Sequence, residues 1–149
     1  MKYILLVVCL FTVIGCDKGA KTPEGVLAMY IGDITSKKVD REYFEDYTTG
    51  KLLETVQSLS DEEFTKFIDM SKVRNPRIEI SNKNCSDDKC SLTYIVKYDV
   101  VSAKSKQFKS EVKKIASVLK DGEIWKIEEV SNIKTFYESA IPFVVNPEE

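Results

Sequence analysis

The sequence predicts an α+β fold in which N-terminal helices pack on a curved, four-stranded antiparallel sheet. Three observations lead there. Apolar residues between Val26 and Ile68 recur at helical spacing. Beyond Pro76 the period changes to two, most cleanly in Leu92, Tyr94, Val96, Tyr98 and Val100. Asp121-Gly122 then separates two further strand-like runs in the manner of a tight hairpin turn. Helices gathered first and strands gathered after them indicate α+β rather than an alternating parallel architecture.

Each element has a local reason. Thr22-Pro23-Glu24 reads as a helix start: a capping hydroxyl, a proline at the first turn, then an acid facing the positive helix end. Val26, Leu27, Tyr30, Ile31 and Ile34 form the apolar face of that helix. Asp40 is placed to cap a shorter helix with Tyr43, Phe44 and Tyr47 inward, and Gly50 breaks it. Leu52, Leu53, Val56 and Leu59 make another stripe. Ser60 and Glu63 have the spacing of a capping box, which opens a helix burying Phe64, Phe67 and Ile68. Ile78 and Ile80 mark the first strand, Cys90 to Val101 the second and about Gln107 to Leu119 the third. Ile124 to Val130 returns as the fourth, with Trp125 and Ile127 on one face. Ile133, Phe136, Tyr137, Ala140 and Ile141 have helical spacing, which predicts a short C-terminal helix ending at Pro142.

The N-terminus has a different character. Lys2 precedes an apolar run from Tyr3 to Ile14, which ends in Val13-Ile14-Gly15-Cys16. A run of about a dozen residues is short of the roughly 20 that a spanning helix needs, so it reads as a secretory signal. The cysteine directly after the glycine resembles the lipobox of bacterial lipoproteins, with Val13 replacing the usual leucine and Ile14 the usual small residue. That resemblance implies cleavage before Cys16 and lipid on its sulfur and amine. Asp17 resembles the acid that retains such proteins in the inner membrane, with the outer membrane as the alternative. The expected organisation is residues 1–15 as signal, 16–21 as lipidated cysteine and tether, 22–131 as the domain and 132–149 as a helical tail. Asp17 to Lys21 reaches on the order of 20 Å, which keeps the domain near the bilayer.

Composition excludes several functions. There are 22 Lys plus Arg against 24 Asp plus Glu, which gives no bulk electrostatic case for nucleic acid. Histidine is absent, which removes Ser-His-Asp and Cys-His catalysis and His-ligated zinc. Of the four cysteines, Cys9 leaves with the signal and Cys16 is lipidated, leaving Cys85 and Cys90 as a pair. Their four-residue spacer is too long for a thioredoxin-type motif, so we read a structural disulfide across a hairpin, in a compartment that permits one. Asp87-Asp88 in that hairpin lacks the spaced oxygen ligands of a calcium loop. No cofactor or metal is expected.

Two short stretches suggest a family. Thr22-Pro23-Glu24-Gly25-Val26, with Gly122, Trp125, Lys126 and Ile127 near the end, resembles small bacterial lipoproteins of unknown function that carry a SnoaL-like, ketosteroid-isomerase-like domain. These belong to the nuclear transport factor two superfamily, and the match spans most of Thr22 to Val130. The resemblance implies a cone (also described as cystatin-like), whose sheet wraps a long helix and leaves a pocket at the wide mouth. Enzymes with that cone use a carboxylate base and a tyrosine or acid donor. Here Tyr30, Asp33, Tyr94, Tyr98 and Trp125 are the pocket candidates. No spacing places them in a catalytic pattern: the tyrosines and Trp125 also read as core, and Asp33 as a solvated acid. Eight lysines between Lys97 and Lys126, Lys114 among them, read as an outer face that either blocks strand aggregation or meets anionic lipid.

The expected function is a non-enzymatic binding or accessory module in the periplasm, held to the membrane through Cys16 and engaging an envelope protein or small ligand. The alternatives are a protective lipoprotein that blocks a toxin or conjugation partner, and an isomerase-type pocket enzyme.

Overall fold

Side-chain caps start three of the four helices among the described residues. Thr22 Oγ1 accepts from the Gly25 amide at 3.1 Å and opens α1 (Pro23–Thr35). Asp40 accepts from the Tyr43 amide at 2.8 Å and opens α2 (Arg41–Tyr47). After α3 (Gly50–Ser58), Ser60 and Glu63 form the full reciprocal box that opens α4 (Asp61–Phe67). The chain enters α3 at Gly50, whose φ of +51° is a left-handed conformation that favours glycine. The structure, a computed structural model, describes residues 20–36, 39–101 and 107–139. The expected signal, Cys16, Asp17 and most of the tether lie outside the described residues.

Four strands follow: β1 (Val73–Cys85), β2 (Lys89–Val101), β3 (Gln107–Asp121) and β4 (Ile124–Ser139). They form one antiparallel meander in the order β1-β2-β3-β4. More of the chain lies in strands than in helices. The outer edge of β4 is paired at its start, at Trp125 and Ile127, which shortens the edge open to association with other chains. The Trp125 amide donates to the Ala20 carbonyl at 3.0 Å, and the Thr49 amide donates to the Ile127 carbonyl at 2.8 Å. Arg41 fastens the helices to one another. Its guanidinium donates to the Val56 and Leu59 carbonyls, each at 2.8 Å, and lies 4.6 Å from the Phe64 ring centre. Those carbonyls belong to the C-terminal end of α3, where a cation is favoured.

The core lies between α1 to α3 and one end of the sheet. Val26 and Leu27 of α1, Phe44 of α2 and Val56 of α3 meet Leu92, Ala116, Val118 and Ile127, all at 1% exposure or less. Cys85 and Cys90 are register partners there, with Cα atoms 4.1 Å apart and sulfurs at disulfide distance.

Three expectations are corrected. The hairpin turn is one residue later than read: Asp121 pairs with Ile124, so Gly122 and Glu123 form the turn, with Gly122 at φ +63°. No helix forms over residues 132–139, and the remainder of the expected C-terminal helix lies outside the described residues. β4 instead runs on to Ser139, across the expected boundary after Ser131. The reason is pairing: the early half of β3 presents an open edge, and Lys113↔Lys134 through Phe108↔Ser139 satisfy it. The β-branched and aromatic residues Ile133, Thr135, Phe136 and Tyr137 suit a strand. Finally, α4 has no fully buried residue. Phe67 is 37% exposed rather than part of a buried face.

Candidate functional site

Strand register divides the inner sheet face. Opposite β2, the inward positions of β3 are Val118, Ala116, Lys114, Val112 and Ser110, facing Cys90, Leu92, Tyr94, Val96 and Tyr98. On β4 the corresponding residues include Ile127, Val130, Asn132 and Thr135. The Cys90 end is apolar, whereas the Tyr98 end mixes hydroxyls, an amide and a lysine. Length explains why the helices seal only one end. Thirteen residues of α1 span about 20 Å at 1.5 Å per residue. Fifteen residues of β3 span about 50 Å.

Where the helices stop, a cavity of about 500 Å³ opens between α1 and the sheet. Ile31 and Ile34 form its helix wall, and Val96 and Val112 its sheet wall. Phe67 and Met70 stand on its α4 side. Tyr30, Tyr94 and Tyr98 also line it, so three of the five expected pocket residues do come together. Tyr30 and Tyr94 are buried, at 7% and 1% exposure, and burial raises the pKa of both phenols. Both therefore present neutral hydroxyls that can donate.

The other two expected residues lie elsewhere. Asp33 is close to Tyr43, where its charge reinforces burial in raising the Tyr43 pKa. Trp125 belongs to the closed end, 8% exposed in the core cluster. No described acidic residue lines the cavity, so the carboxylate base of an isomerase-type site has no counterpart among the described residues.

What the sequence reading missed is Lys114. The outer-face expectation for the lysine series fails at this residue, which lines the cavity, half-buried, in register with Tyr94 and Asn132. Burial lowers its pKa. The signal was available: Lys114 shares its parity with Val112, Ala116 and Val118, the inward residues of its strand. Two other members of the lysine series pair with acids. Lys97 pairs with Glu79 at 3.0 Å and with Glu111 at 4.0 Å, and Lys126 pairs with Asp121 at 3.2 Å. Lys104 and Lys106 lie outside the described residues.

A second concavity of about 480 Å³ lies near Tyr98 and Ser110. Three of its charged lining residues have partners: Lys97 and Glu111 pair as above, and Asp99 accepts from Asn75 Nδ2 at 2.9 Å. Asp87 and Asp88 are exposed at the hairpin tip. The described residues contain no cluster of three or more potential metal-ligating side chains, and no described helix is long and apolar enough to cross a membrane.

Fold and cavity together define an α+β domain with helices over one end of a four-stranded antiparallel meander and an open, apolar-walled cavity at the other. No protein-family model matches the chain, and no curated protein sequence matches it. Among solved structures, the chain is similar to the solution structure of RPA3114, a SEC-C motif containing protein from Rhodopseudomonas palustris. The TM-score is 0.58 at 9% identity, over 78% of this chain and 82% of that one. At that identity the likeness concerns the fold alone. It corrects the family expectation, because the match goes to a SEC-C motif protein and not to the ketosteroid-isomerase-like lipoproteins. The residues that suggested the latter have local roles: Thr22 and Pro23 start a helix, and Gly122 makes a hairpin turn. Any chain with a capped helix and a tight hairpin needs such residues.

Proposed function

We propose that this protein is a membrane-anchored envelope lipoprotein whose domain acts as a non-enzymatic binding module, with the open cavity as its binding site. The observation that carries the binding reading is the unsealed end of the sheet. Large strand and helix surfaces face each other there without closing, and three tyrosines and a lysine line the gap. A cavity of this size with apolar walls and a few polar groups has the make-up of a small-molecule site. The absence of an acid from its described lining favours binding over proton-transfer chemistry. The address rests on Gly15-Cys16 after the apolar run, and Asp17 favours the inner membrane. Cys85 and Cys90 as a disulfide agree with a periplasm-facing domain.

Palmitate labelling of the full chain in its own envelope tests the anchor. Cys16→Ser is expected to abolish labelling and leave an unprocessed precursor; label that survives the change overturns it. Fractionation of the labelled protein tests the role of Asp17, since recovery with the outer membrane rules out inner-membrane retention.

A further inference from the structure

The cavity carries one feature that a merely unfilled gap between helix and sheet does not require. Lys114 is the only charged residue among its described lining residues, and no described residue forms an ion pair or hydrogen bond with its ammonium. An ammonium half-buried in a cavity also lined by Val96 and Val112 loses hydration without gaining a counter-ion. A leucine or methionine at this position would continue the apolar parity of Val112 and Ala116 at no such cost. The groups beside it are of one kind as well. Tyr94 and Asn132 are its register partners on either side, Tyr30 lines the same cavity, and each can donate a hydrogen bond. None of these three side chains is hydrogen-bonded to another described residue. Thr35 is different, since its hydroxyl already donates to the Ile31 carbonyl at 2.8 Å. One cation and several free donors at one side of apolar walls are complementary to a negative group attached to an apolar body.

We propose that the cavity binds an amphipathic anion. Its apolar body lies against Ile31, Ile34, Val96 and Val112, and its single anionic head, a carboxylate or a phosphate, is held by Lys114 with Tyr94 and Asn132 beside it. This rests on the reading of the cavity as a binding site, and it names the ligand class. A free fatty acid and a phosphate-headed lipid share that chemistry.

The test uses the full chain in a maltoside detergent and titrates it with decanoate, decyl phosphate, decanol and decylammonium, all of one chain length. Lys114→Met and Lys114→Arg are prepared in the same detergent, and each probe is titrated into protein-free micelles so that its affinity is corrected for its own partition. Binding is read by calorimetry. At least one anionic probe is expected to bind roughly tenfold or more tighter than decanol, since a charge-assisted contact is the difference between them. That preference is expected to vanish in Lys114→Met and return in Lys114→Arg. Whichever of decanoate and decyl phosphate binds more tightly identifies the source of the head group. Decanol binding as well as both anions, or Lys114→Met keeping the preference, overturns the anionic ligand and leaves the cavity reading standing. Failure of every probe to bind overturns the cavity reading itself.

Discussion

The Cys90 end and the Tyr98 end of the sheet lie on the same strands and the same inner face, yet they are built differently. At the Cys90 end each inward position is apolar and covered: Leu92, Ala116, Val118 and Ile127 are fully buried beneath α1, α2 and α3. At the Tyr98 end the inward positions include Tyr98, Lys114, Asn132 and Thr135, which border open space. β2 and β3 pair without interruption through both ends, and the β3–β4 ladder shifts register once toward each end, so backbone hydrogen bonding does not distinguish them. Helix coverage does. The difference separates a half that stabilises the domain from a half that is free to recognise something, and substitutions in the two halves should have opposite consequences.

The largest effect belongs to the closed end. Trp125 is 8% exposed and in the core cluster, with its amide fixed to Ala20. Trp125→Ala is expected to cost about 3–5 kcal/mol, a large part of the roughly 5–15 kcal/mol available to a domain. Denaturant unfolding measures it. Wild-type stability in this variant would mean that the end described as closed is not.

The clamp at the same end comes next. A disulfide closing the short loop between Cys85 and Cys90 contributes about 2 kcal/mol by chain entropy. The double variant Cys85→Ser with Cys90→Ala should therefore fold but unfold at lower denaturant concentration. Alanine is chosen at Cys90 because that side chain is 1% exposed and a hydroxyl there would be buried. Added reductant should bring the wild type to the variant's midpoint. A wild type indifferent to reductant would show that the pair is not bonded.

The smallest effect is at the open end and has the opposite sign. Burial holds the folded-state pKa of Lys114 below its ordinary value of 10.5. The unfolded chain therefore binds this proton more tightly, and the charged lysine opposes folding at every pH below its folded pKa. That opposition fades as pH rises through the folded pKa toward 10.5. Lys114→Met should accordingly raise Tm at neutral pH by a few degrees or less, with the gain shrinking in alkaline buffer. A fall in Tm of several degrees would assign Lys114 to stability and erase the contrast between the two ends.

Much of the closed end was legible in the sequence. The caps at Thr22, Asp40 and Ser60 depend on a side chain and an amide three residues away, so local order is enough to find them. The β2 face from Leu92 to Tyr98 follows from period two, and Cys85 with Cys90 follows from a short spacer. Of the candidate site, Tyr30, Tyr94 and Tyr98 were found and do converge. Asp33 and Trp125 were expected beside them and are not, because their separation depends on how α1 lies across the sheet. Lys114 is hard to read because it sits in a run of charged residues, which suggests the surface, and only its parity with Val112 and Ala116 marks it as inward.

The sequence by itself determined where α1, α2 and α4 begin, which face of β2 points inward, and that the class is α+β. These properties depend on interactions within a few residues, and composition and spacing record them directly. Only the tertiary structure decided that residues 132–139 extend a strand. Their spacing also suited a helix, and the choice was made by the unpaired amides and carbonyls of β3, residues distant in the chain. The tertiary structure alone also decided that the sheet outruns its helices, because coverage depends on where α1 lies as well as on how long it is. The cavity, and the lysine inside it, are consequences of that mismatch.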